Sequence, residues 1–405
     1  MSVQTSATAT LPGPTMIFVL AFMSAVSPFS TDMYLPAFPA MADELGATAS
    51  QIQLTLTAFL IGLAFGQLVI GVLSDSFGRR VPMLVGAGAC SIASAMCAVA
   101  PTIEVLTVSR FAQGFAGSAG IVLARAVVSD RAHGAAAARS FTAMMTVGSV
   151  APVIGPVVGG LVISGAGWRS VFWTLTALNL LMLLGALLFV PESLPRDRRQ
   201  RSGGRALMVS AGRVLGNRDY LGYTLTLAFA FMVLFGFISA SPFVIQNIMG
   251  LSTTAYSVAF ATICASIAIT SVTSMRLVTK CSPLRLLRGG VIALVGLTFA
   301  LLIATTVGDV PRWPTLLLFL LIVGSLGFVF GNAIALASAQ VRHAAGIGSA
   351  ILGATQFTFG AIASPLVGLG GDDVAAPMGL TLFVAAILSA LALFTLPRRT
   401  SRSSA

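Results

Sequence analysis

Apolar runs long enough to cross a membrane recur about twelve times along the chain, separated by short polar or charged stretches. In the first half they fall near 15–40, 51–74, 81–100, 104–129, 139–164 and 168–190. In the second half they fall near 219–243, 255–277, 287–308, 314–340, 347–369 and 376–396. The pattern predicts an all-α polytopic membrane protein with 12 transmembrane helices. Residues 1–14 read as a polar tail and 15–190 as one six-helix bundle. Residues 191–218 form a basic, proline-punctuated linker, 219–397 a second bundle, and 398–405 a short tail. The halves echo each other. The two histidines, His133 and His343, follow the fourth and tenth runs. The fifth and eleventh runs are both glycine-rich around an interior proline. Two pseudo-symmetric repeats, with a site at their interface, would account for the echo.

Composition sharpens the class. Hydrophobic residues make up 57% of the 405 and charged residues 9%, where a soluble domain carries about 25% charged. The net charge of +11 could suggest a nucleic-acid partner, but its distribution argues otherwise. With the N-terminus inside, 19 of the 23 basic residues face the cytoplasm, while outside loops hold only Arg169 and Arg312. That is the positive-inside bias of a membrane protein with both termini cytoplasmic. The four cysteines form no CxxC and read as small apolar residues. The first run is too long and too decorated for a cleaved signal peptide.

One carboxylate, Asp32, lies within the apolar stretch from Met16 to Ala40. An ionised group at membrane depth costs roughly 2.5–3.5 kcal/mol on insertion scales and usually faces a bundle interior. Asp32 reads as a group that takes and releases a proton; a capping or snorkelling aspartate is the other reading. In the fourth run Arg110, Gln113, Gly114 and Gly117 share a helical face. The guanidinium cannot deprotonate, so it must be paired or hydrated. Arg125 lies further along the same run and either snorkels or joins a charge cluster at the membrane surface. The fifth run holds Gly148, Pro152, Gly155, Pro156 and Gly159, a spacing that combines kinks with a close-packing face.

Five stretches resemble a known family. The segment from Gly66 to Arg80, with Asp75, Gly78 and Arg79, resembles the loop signature of the major facilitator superfamily. The resemblance implies the major facilitator fold and an ionic latch of Asp75, Arg79 and Asp130 that closes the cytoplasmic side. The run from Arg110 to Gly117 is similar to the family's fourth-helix motif, which implies a proton-coupling role for Arg110 with Asp32. The fifth run resembles the antiporter motif of drug–proton exporters. Thr31 to Pro39 and Gln51 to Thr57 resemble the bicyclomycin/chloramphenicol resistance branch. The implied activity is proton-driven efflux of small amphipathic antibiotics. Export of a small physiological metabolite is the alternative.

For substrate contact the candidates are Tyr34, Gln113, Phe231, Phe235, Asn332, Gln356 and Phe357, aromatic and amide groups in helices expected to line a central cavity. Lipid, protons and a small-molecule substrate are the expected partners. A monomer in a bacterial cytoplasmic membrane is expected, with no nucleic acid, no metal and no cofactor beyond the proton gradient. ATP as the energy source lacks a GxxxxGK[ST] loop. An intramembrane enzyme would need paired acid/base groups in the spans, which the sequence does not place there. A passive uniporter would move substrate only downhill.

Overall fold

The computed structural model describes residues 13–132, 134–195, 199, 211–307, 310–341, 345–369 and 374–397. The side chains of 134–139, 142, 145, 146, 149, 345 and 346 fall outside that description, as do His133 and His343 and most of the linker arginines.

Twelve long helices follow one another among the described residues. They are α1 (Pro14–Leu45), α2 (Ala49–Phe77), α3 (Arg80–Ala98), α4 (Ile103–Arg131), α5 (Gly134–Ala166) and α6 (Arg169–Phe189). After the linker come α7 (Arg218–Ile248), α8 (Thr253–Leu277), α9 (Pro283–Thr306), α10 (Arg312–Gln340), α11 (Ala345–Gly368) and α12 (Ala375–Thr395). Eleven are long and apolar enough to cross a membrane, and α5 adds the shorter apolar stretch Val150–Ala166. Polar caps set several starts. Thr48 and Gln51 close a capping box on α2, and Thr102, Asn217, Ser252 and Ser282 each accept the N–H three residues on. Such caps contribute about 1 kcal/mol each.

α1 is broken where its sequence reads as one run. An α-helical part ends at Asp32, a 3₁₀ turn spans Leu35–Ala37, and a second α-helical part runs Phe38–Leu45. Proline explains the break. Pro36 has no N–H for the carbonyl of Asp32, and Pro39 none for that of Leu35. α7 changes at the matching place, passing after Pro242 into a π-helical stretch, Phe243–Ile248.

Helices α1–α6 pack on one another, as do α7–α12. Inside the first lobe α2 and α4 touch backbone to backbone. A Cβ on Gly62 would strike the carbonyl of Phe111, and one on Gly114 the carbonyl of Phe59. Between the lobes the contacts run α2 to α11, α5 to α8 and α1 to α7. Several lie away from the linker, at what is here termed the far end. Gln53 donates to the Ser239 carbonyl (3.3 Å), Ser364 to the Gln53 carbonyl (2.8 Å), Thr57 to the Ala361 carbonyl (3.3 Å) and Gln246 to the Pro36 carbonyl (3.1 Å). At the linker end the α2–α3 loop meets the segment that follows α6.

Candidate functional site

Asp32 is the one carboxylate buried among the described residues, at 3% exposure. The break in α1 places it there, at the last residue of the first α-helical part. It faces α5 and α8. A Cβ on Gly155 would lie 3.3 Å from the Asp32 Cβ, and a Cβ on Gly159 would overlap the carbonyl of Met33. From α8, Tyr256 and Cys264 lie close enough to feel its charge. The glycines at 155 and 159 thus let α5 lie directly against the break. Pro156 is buried beside them and Pro152 half-buried, both within a continuous α5. Gly148 has open space around it.

Arg110 is fully buried. Its Nη1 donates to the Gln113 Oε1 at 2.5 Å, and Gln113 donates onward to Ser94 at 2.8 Å. Asn179 of α6 donates to the same hydroxyl at 3.3 Å. The guanidinium sits over the rings of Tyr34 (4.2 Å) and Phe59 (4.4 Å), with Phe172 at 5.8 Å. A desolvated cation over aromatic faces gains about 2 kcal/mol. Its Nε and Nη2 have no hydrogen-bond partner among the described residues. Asp32 is not among its neighbours: no ion pair joins the two among the described residues. Tyr34, two residues beyond Asp32 and turned to the other side of α1, stands on the arginine instead, its hydroxyl 3.2 Å from that of Thr55.

The substrate-contact candidates separate into two groups. Phe231 of α7 lies 4.7 Å from Phe330 of α10 and 6.0 Å from both Phe235 and Phe357, ring centre to ring centre. Phe231, Phe330 and Phe357 are half-buried, and Gln356 beside them is half-buried too. Phe330 had no signal of its own among 26 phenylalanines. Tyr34, Gln113 and Asn332 are buried and engaged elsewhere. Asn332 donates to Ser274 of α8 and to the Phe328 carbonyl, both at 2.8 Å.

At the linker end Arg79 donates to Asp75 (2.6 Å) and to Asp130 (3.1 Å). Two residues that follow α6 complete this cluster. Glu192 accepts the N–H groups of Arg79 (2.8 Å), Arg80 (3.3 Å), Ser193 and Leu194 (both 3.0 Å). Ser193 donates to Asp130 at 2.9 Å, and Arg131 to the Glu192 carbonyl at 2.9 Å. Burial alone would raise the Glu192 carboxyl. The backbone N–H groups of Leu194, Arg79 and Arg80, with the Arg199 guanidinium, outweigh it and hold the group below its ordinary value. Glu192 and Ser193 were not legible as members of this cluster, because the linker around them reads only as polar and basic. No group of three or more metal-ligating side chains occurs among the described residues.

Comparison with known proteins places this geometry. The family model described as Major Facilitator Superfamily matches residues 20–365. The MFS-type transporter YdgK of Bacillus subtilis is 36% identical over 385 residues, 95% of each chain. The bicyclomycin resistance protein homolog of Haemophilus influenzae is 29% identical over 96% of this chain and 98% of its own. The multidrug resistance protein MdtL of Salmonella heidelberg is 28% identical, covering 81% of this chain and 82% of its own. Among solved structures, a bacterial homolog of the human lysosomal transporter Spinster, inward-facing and unoccupied, superposes with a TM-score of 0.74 at 17% identity, over 96% of this chain and 97% of that one. A D-xylose–proton symporter gives 0.73 at 16%, over 96% and 99%. At these identities the two structures speak to the fold alone.

Proposed function

Given that the chain belongs to the Major Facilitator Superfamily and is a membrane transporter, we propose that it exports small amphipathic antibiotics, of the bicyclomycin or phenicol type, in exchange for protons. The linker end is the cytoplasmic one, because the arginines gather there, and both termini are cytoplasmic. The observation that carries the reading is Asp32, a lone buried acid at a helix break where the two lobes meet. Broken helices at the interface of repeats are where transporters build their ion and substrate sites. The relatives named for bicyclomycin and multidrug resistance support the substrate class.

In this reading Asp32 releases its proton toward the cytoplasm as substrate enters, and takes one from the acidic side once the lobes have rocked. Arg110, held by rings and Gln113, is a fixed positive charge in the same lobe whose field favours the ionised acid. The ring cluster of Phe231, Phe235 and Phe357, with Gln356, supplies the apolar surface for substrate. Asp75, Arg79 and Asp130 hold the cytoplasmic ends of α2 and α4 in register through the cycle. The protein acts as a monomer in a bacterial cytoplasmic membrane.

The test is export from cells stripped of their own pumps, with everted vesicles energised by a proton gradient. Wild type is expected to raise resistance to chloramphenicol or bicyclomycin and to move the drug uphill. Asp32→Asn is expected to abolish uphill movement, and Asp32→Glu to retain part of it. Uphill export by Asp32→Asn would sink the reading.

A further inference from the structure

Gly117 ends the stretch that begins at Arg110, and the packing of α4 gives it no steric reason to be glycine. At Gly114 and Gly120 an added Cβ would overlap the backbone of Phe59 and of Met23. At Gly117 it would meet only the Cys90 sulfur at 3.5 Å and the Ser27 hydroxyl at 3.6 Å, both ordinary contact distances. A methyl group would fit. The position borders a cavity of about 20 Å³ in the middle of the first lobe, among α1, α3, α4 and α6. All the residues that line this cavity are buried. A space of that size holds one water, provided that polar partners reach it.

Polar groups do reach it. Ser27 of α1 is 3% exposed, and its hydroxyl has no hydrogen-bond partner among the described residues. Asn179 of α6 lines the cavity directly. Its Nδ2 donates to Ser94 (3.3 Å) and to the Leu175 carbonyl (2.8 Å), which leaves Oδ1 as a spare acceptor. No charged side chain stands on the wall, which rules against an ion as the occupant. A buried hydroxyl and a buried amide oxygen left unpaired both cost stability, and one water that bonds to each removes that cost. Asn179 is also the outer end of the hydrogen-bonded chain that runs from Arg110 through Gln113 to Ser94.

We propose that this cavity is a binding site for one structural water, held between the Ser27 hydroxyl and the Asn179 amide oxygen. The water ties α1, just before Asp32, to the chain of hydrogen bonds behind Arg110, and Gly117 is glycine to leave room for it. The test is X-ray radiolysis of the purified full chain followed by mass spectrometry, since hydroxyl radicals formed from a buried water oxidise the side chains beside it. Met23 and Met182 line the cavity and serve as reporters; Met41 and Met378, fully buried and away from it, serve as controls. In wild type the reporters are expected to oxidise several-fold faster than the controls. Gly117→Ala should bring them down to the control rate. Alanine for glycine ordinarily stabilises a helix. Here Gly117→Ala should nevertheless lower the unfolding temperature, because Ser27 and Asn179 lose their shared partner. Should Gly117→Ala not fold, Ser27→Val, which removes the hydroxyl, is expected to give the same loss of oxidation. Reporters no faster than controls in wild type, oxidation that survives in the folded variant, or a Gly117→Ala chain that unfolds at a higher temperature than wild type would overturn the proposal.

Discussion

A methyl group added at Gly159 would land on the carbonyl of Met33, in the break of α1, whereas one added at Gly148 would meet nothing. The two positions belong to one motif and differ wholly in what they touch. Gly159→Ala is expected to cost about 1–3 kcal/mol through forced separation of α5 from α1. It should lower both the thermal unfolding temperature in detergent and export. Gly148→Ala should be nearly neutral on both counts, and equal losses at the two sites would contradict this geometry. Single residues were legible where their chemistry clashed with their surroundings. Asp32 stood out as a charge in an apolar run, and Arg110 as a guanidinium that cannot lose its charge. What held Arg110 was not legible, since Tyr34, Phe59 and Phe172 come from three helices with no sequence spacing in common. Asn332 looked like a free amide for a ligand, but the rotation of α10 turns it onto Ser274.

At the scale of elements, the segment after α6 is tied down by Glu192, whose carboxylate gathers backbone N–H groups from the α2–α3 loop and its own chain. Its carboxyl is held below the ordinary value of 4.5. The folded state therefore holds this proton more weakly than the unfolded chain does. The stabilisation is complete above the ordinary glutamate range and is lost as pH falls through the lowered native value. Glu192→Gln should lower the unfolding temperature at neutral pH, by an amount corresponding to about 1–2 kcal/mol for the weakened acceptor. The gap between wild type and variant should narrow as the solution is acidified. A gap that widens in acid would refute the assignment. The helices themselves were readable from apolar runs and caps. The break in α1 was written in Pro36 and Pro39, but a count of apolar residues passes through prolines unchanged. The part played by Glu192 needed the fold, because its partners in the α2–α3 loop lie more than a hundred residues away.

For the whole molecule, the number of helices and the family's fold could be read from hydropathy and the family motifs; which faces meet could not. The lobes touch at the far end through α5 and α8, where a Cβ on Gly160 would lie 3.2 Å from that of Ser257. That is close to the 3.5–4.5 Å of a disulfide. In a background without native cysteines, Gly160→Cys with Ser257→Cys should cross-link on oxidation and stop export, and dithiothreitol should restore it. Full export by the cross-linked form would mean that this contact does not open during the cycle. The seam between α2 and α4 has a different bearing. Ribs that touch without intervening side chains cannot bend one at a time, and each half must swing as a block. Heritable changes that broaden the range of compounds expelled should therefore accumulate on side chains bordering the gap, and hardly ever along Gly62, Gly66 and Gly114, where even one added carbon would pry the block apart.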